Sequence, residues 1–241
     1  RMAGVEVAEA GGRMTSDIPT GRLAGTLYLV VVVTGMFSLA YVPSHIAVGG
    51  DPAAAIDHIR ASEPLFRLGI ASFLINQVAF LLLPLALFKL LRPSGREAAV
   101  AMVALAWVSV AVALASVAHR MEALSLVKET AGALDPDQLK AAVASAISAY
   151  GEGMQVTSLF WGLWLAPFGY LVLKSRMLPK ALGMLLILGC AGYLVDVFGT
   201  LLVPSYAGSS IGGYALLPAA LGEIGTCLWL LIAGVRRPAL D

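Results

Sequence analysis

The chain has 241 residues, of which 59% are hydrophobic and 13% charged, and its mean hydropathy is +0.85. A soluble domain carries about 45–50% apolar and about 25% charged residues, so this composition excludes a soluble globular protein and a disordered one. Sixteen Lys and Arg against fifteen Asp and Glu leave a net charge of +1, which gives nucleic acid no electrostatic reason to bind.

Residues 1–20 are small and polar and read as a flexible N-terminal segment in which Met14 is a candidate start. The remainder, 21–237, reads as one domain crossing a membrane six times. A run of about 20 apolar residues crosses a hydrocarbon core of about 30 Å at 1.5 Å per residue. Such runs fall at 22–42, 68–89, 98–120, 152–174, 180–203 and 213–235. The first is a full span with no short signal-peptide core ahead of it. Between spans one and two, Asp51-Pro52 sets an N-cap acid before a first-turn proline and opens a short amphipathic helix that Pro64 ends. Between spans three and four, Asp135-Pro136-Asp137-Gln138 repeats the device with Gln138 at the capping-box position, so the helix should run from Pro136 straight into span four. Pro84, Pro167 and Pro218 lie within spans and are expected kink sites. Cys190 and Cys227 stand in apolar runs and build neither a disulfide framework nor a zinc site.

Eleven of the sixteen basic residues lie before span one, in the short connections 91–97 and 175–179 or close beside them, and after span six. Arg60, Arg67, Arg120, Lys128 and Lys140 lie on the other side. The positive-inside rule then puts both termini in the cytoplasm and the two longer connections outside. The expected fold class is all-α: an integral membrane bundle of six transmembrane helices, with short amphipathic helices in the outer loops.

Charged and amide side chains inside hydrocarbon are expensive, so their default reading is functional. Counted from the cytoplasmic anchors, Asp196 lies about 24 Å along span five and Glu223 about 18 Å from the end of span six. Glu152 and Gln155 sit at the outer end of span four, and Ser145, Ser148, Glu152 and Gln155 form one helical stripe. His119, Arg120 and Glu122 close span three, while Arg67 opens span two with Asn76-Gln77 deeper in it. The cytoplasmic half is nearly all apolar. The pattern predicts an outer-leaflet cavity or ion-pair layer to which every span contributes. Tyr, Phe and Trp residues read as core or lipid-facing. A metal site at His119 with Glu122, Glu152 or Asp196 lacks any H-x-x-x-H or H-E-x-x-H spacing, so no metal is assigned.

Five ordered segments together resemble one family of bacterial multi-pass membrane proteins. They are TGRLAGTLYLVVVVTG in span one, ASEPLFRLGIASFLIN entering span two, LDPDQLKA before span four, MLPKALGMLLILGCAGYLVD in span five and ALLPAALGEIGTCLWLLIAGV in span six. The family is domain of unknown function 4386, and the resemblance covers about 21–236. It implies a six-span protein of the bacterial inner membrane and marks the positions of Arg67, Asp196 and Glu223 as recurrent polar ones. The stretch Tyr150-Gly151-Glu152 departs from the family pattern, which has a histidine and tyrosines there. The resemblance brings no activity with it.

Two functions fit the residues. In the first, Glu223 and Asp196, with Glu152 behind them, act as catalytic acids on a membrane-dissolved hydrophobic molecule such as an isoprenoid or lipid. Arg67, Asn76, Gln77, His119, Arg120 and Gln155 would bind that molecule. A carboxyl group in an apolar cavity holds its proton to higher pH, and acid-catalysed cyclisation or isomerisation needs no cofactor. In the second, the protein is a non-catalytic lipid- or partner-binding subunit, with Arg67 or Arg120 locked to Asp196 or Glu223 as structural ion pairs. Homo-oligomerisation is compatible with either. Proton-coupled transport would need polar residues continuing into the cytoplasmic half, where the sequence lacks them.

Overall fold

The computed structural model describes residues 2–46, 51–129, 134–206 and 209–235, with side chains from residue 19 onward except those of 52, 129 and 210. Every regular element among the described residues is helical: α1 (Met2–Met36), α2 (Val42–His45), α3 (Pro52–Ala61), α4 (Glu63–Leu91), α5 (Arg96–Glu129), α6 (Pro136–Ser175), α7 (Lys180–Leu202), α8 (Ser210–Tyr214) and α9 (Leu217–Ile232). Six stretches are long and apolar enough to cross a membrane: Pro19–His45, Glu63–Ser94, Arg96–Lys128, Pro136–Ser175, Lys180–Leu202 and Ile211–Ile232. Leucines and isoleucines such as Leu188, Leu202, Leu221 and Ile232 lie exposed on them, as a lipid-facing surface requires. The protein is an all-α, multi-pass membrane bundle.

Local signals set the helix ends. Asp51 accepts a hydrogen bond from the Ala53 N–H at 3.0 Å and caps α3. That helix stops at Ala61, earlier than Pro64 requires. Pro64 instead occupies the first turn of α4, where a missing N–H costs nothing. The Asp135 N–H donates to the Gln138 side chain at 3.4 Å, the expected capping box. From there α6 runs unbroken for 40 residues, about 60 Å and twice a hydrocarbon core. Between α1 and α2 the chain widens into a π-helical turn over Phe37–Tyr41. Pro43 explains it, since its ring would strike the carbonyl four residues back.

Pro84 and Pro167 lie inside continuous α4 and α6. Pro218 behaves differently from the expected mid-span kink. The sixth span breaks at 215–216, and Pro218 sits in the first turn of α9, the helical position that proline tolerates best.

The residues gather into two compact units. Of the described residues, the first holds those up to Leu29, Phe80–Trp107 and those from Leu159 onward; the second holds those within Val30–Ala79 and Val108–Ser158. Helices α1, α4, α5 and α6 contribute residues to both.

In the first unit, close contacts at small residues bring helices together, the usual driving geometry where lipid removes the hydrophobic incentive to associate. A Cβ on Gly189 of α7 would lie 2.6 Å from the Ala219 Cα of α9, and one on Gly25 of α1 would lie 2.9 Å from the Leu231 nitrogen. Beside this seam Trp164 stacks on Phe168, with ring centroids 5.2 Å apart, and meets Phe80 edge-on at 5.0 Å. The second unit is clamped by polar side chains. The Asn76 amide of α4 donates to the Val31 carbonyl of α1 at 2.7 Å and to Thr34 Oγ1 at 3.2 Å. Ser72 donates to the Thr34 carbonyl at 3.1 Å.

Candidate functional site

In the first unit two acids meet three tyrosines. Tyr28, six residues beyond Arg22 on α1, is 1% exposed. Its hydroxyl donates to Glu223 Oε1 on α9 at 3.2 Å. Gly222 and Gly225 flank Glu223; a Cβ on Gly222 would lie 3.1 Å from the Leu186 nitrogen of α7, so the seam of small residues delivers the carboxyl group to this place. Tyr193 of α7 is partly buried and lies within electrostatic reach of both Glu223 and Asp196. A Cβ on Gly162 of α6 would come within 2.5 Å of the Tyr193 Cβ, so only a glycine at 162 leaves room for that tyrosine.

Asp196 follows Tyr193 by one helical turn on α7 and is also partly buried. It acts in turn on Tyr206, just beyond α7. The Tyr206 hydroxyl is buried with no hydrogen bond of standard geometry among the described residues. Burial first, and the Asp196 carboxylate second, push that phenol above its ordinary range. One turn before Asp196, Gly192 receives the Ala215 carbonyl at the break between α8 and α9. The wall beside Tyr28 is Trp164, with centroids 6.4 Å apart.

Within this unit no basic side chain lies at ion-pair distance from Glu223 or Asp196 among the described residues. Arg67 finds its carboxylate on its own helix, in Glu63 at 2.7 Å, and Lys128 shares the same oxygen at 3.3 Å. An acid four residues away is satisfied by helical spacing alone, which outcompetes a distant partner. Arg120 is 6% exposed and lies over two rings, Phe66 at 4.8 Å and Tyr150 at 5.0 Å. Aromatic faces stabilise that cation in place of a carboxylate.

Asp196 and Glu223 group with the first unit; Arg67, Asn76, Gln77, His119, Arg120, Glu152 and Gln155 group with the second. Asn76 and Gln77 are buried, and Gln77 donates to Asn76 Oδ1 at 3.1 Å. Both side chains are engaged in packing α4. His119 pairs with Glu122 at 3.2 Å on an exposed face. Glu152 is exposed on α6, and Gln155 is partly buried. Among the described residues no three His, Cys, Asp or Glu side chains are grouped to hold a metal ion.

Tyr28, Tyr193 and Tyr206 escaped the sequence reading. Tyr193-x-x-Asp196 places a phenol and an acid on one helical face, a signal that was available. Tyr28 stands in an apolar run without polar neighbours and carries no such mark.

Residues 23–234 match a protein-family model described as Domain of unknown function (DUF4386). No curated protein and no solved structure matches the chain.

Proposed function

The chain belongs to this family, and because the family's description assigns no activity, we propose from the geometry that the protein holds a membrane-dissolved unsaturated molecule, an isoprenoid or lipid, against Glu223 and isomerises it by proton transfer. The observation that carries the proposal is the Tyr28–Glu223 contact at 3.2 Å, with no cation at ion-pair distance from Glu223 among the described residues. A carboxyl group among helices with no basic partner is cheapest in its neutral form, and the neutral form is the one that can donate.

The step balances without a cofactor. Glu223 gives its proton to one carbon of a double bond, whose π pair becomes the new C–H bond. The neighbouring carbon is left cationic beside the aromatic faces of Trp164 and Tyr28, which stabilise positive charge. The carboxylate then removes a proton from the next carbon, that C–H pair becomes the new double bond, and Glu223 is restored. Cyclisation follows the same course if a second double bond attacks the cation before proton loss. Tyr28 positions Glu223, and Asp196 with Tyr193 forms the second half of the cluster. Glu152, exposed on α6, takes no part. The proposal places both termini in the cytoplasm and the protein in a bacterial inner membrane, on the strength of the basic connections.

Mass spectrometry of the organic extract from gently purified protein tests this, with an unrelated membrane protein from the same cells as control. A specifically enriched unsaturated compound that gains deuterium from heavy water is the expected result. Glu223→Gln keeps a hydrogen-bond acceptor for Tyr28 and should abolish the exchange while the fold survives. An extract of bulk lipid alone, or unchanged exchange in Glu223→Gln, would overturn the reading.

A further inference from the structure

Helices α4 and α5 form an open groove of about 470 Å³ in the second unit, outside the acid–tyrosine cluster. Arg67 and Lys128 stand at one end, and Ile70, Leu74, Met121 and Leu124 line the rest. Arg67 is the fifth residue of α4 and Lys128 the last but one of α5, so both cations lie where apolar helix gives way to polar chain. That is the level at which headgroups meet a membrane protein.

Among the described side chains one carboxylate serves two cations: Glu63 is shared between Arg67 at 2.7 Å and Lys128 at 3.3 Å. Both basic side chains remain about half exposed, at 49% and 45%. Arg67 engages Glu63 through Nε, so its two terminal nitrogens keep their donors for a second acceptor. A cation that shares its carboxylate at the edge of hydrocarbon favours a further anion, and the apolar wall running away from it favours a chain attached to that anion. We infer that this groove binds an anionic phospholipid, with its phosphate on Arg67 and Lys128 and one acyl chain along Ile70, Leu74, Met121 and Leu124. The inference stands independently of the proton-transfer proposal, since it uses neither Glu223 nor Asp196.

The test uses the full chain in a non-ionic detergent, offered phosphatidylglycerol, phosphatidylcholine or inorganic phosphate. Bound lipid is read by native mass spectrometry and the thermal midpoint in parallel. Phosphatidylglycerol should be retained about fivefold more than phosphatidylcholine, the ratio expected from one extra basic contact. Lys128→Gln should remove that preference. Glu63→Gln should enlarge it, because two cations are then released to the phosphate. A trio with a merely structural role would instead lose stability in Glu63→Gln and gain no affinity. Equal retention of the two lipids, an unchanged preference in Lys128→Gln, or stabilisation by inorganic phosphate as large as by phosphatidylglycerol would each overturn the inference.

Discussion

The two compact units handle polar side chains among apolar helices in opposite ways. In the second, cations have a carboxylate or aromatic rings as partners: Arg67 and Lys128 share Glu63, and Arg120 lies over Phe66 and Tyr150. In the first, Glu223 and Asp196 face phenols. A paired charge serves packing, because removing its partner strands it in a poor solvent. Glu223 has a phenol hydroxyl as its hydrogen-bond partner instead of a cation. Close contacts at glycine occur in both units, at Gly189 and Gly222 in the first and at Gly69 and Gly153 in the second, and the second adds hydrogen bonds from Asn76 and Ser72.

Three substitutions press on this contrast. The largest effect is expected at the glycine seam. Gly189→Leu places a side chain where even a Cβ would lie 2.6 Å from the Ala219 Cα; overpacking of this kind costs about 3 kcal/mol. The thermal midpoint in detergent should fall steeply, and a midpoint near wild type would show that α7 and α9 are not closely apposed. Next is Asn76→Ala, which removes the donors to the Val31 carbonyl and Thr34 Oγ1. Hydrogen bonds between membrane helices contribute about 1–2 kcal/mol at most, so a moderate drop is expected, with deuterium exchange at the Glu223 cluster unchanged. Loss of that exchange would show that the two units do not divide structure from chemistry as described. The smallest effect belongs to Glu122→Gln. His119 and Glu122 pair on an exposed face three residues apart, and such pairs contribute at most about 0.5 kcal/mol and fade with salt. A larger loss at high salt would mean that His119 has a role beyond this contact.

Much of the architecture was legible from local signals. Asp51 and Asp135 were readable as helix starts because an N-cap acts over three residues. The uninterrupted course of α6 followed from Pro136 and Gln138. Pro218 was misread as a kink because hydropathy alone does not separate a bent span from a broken one. The candidate site was less legible. Its acids stand out by their cost in hydrocarbon, but their neighbours are tyrosines, which are common in spans as core and interface residues.

The sequence by itself determined that the chain is an all-α, six-span membrane bundle, because twenty apolar residues in a row have one inexpensive environment and one satisfied backbone conformation there. It also determined which side chains are costly enough to need a reason. Only the tertiary structure decided the partners. Tyr28 and Glu223 are 195 residues apart in the chain, and their meeting depends on how closely α1, α7 and α9 pack at Gly25, Gly189 and Gly222. Arg67 had several acids within the chain and is paired with Glu63, one turn away, because a helix sets residues four apart on one face.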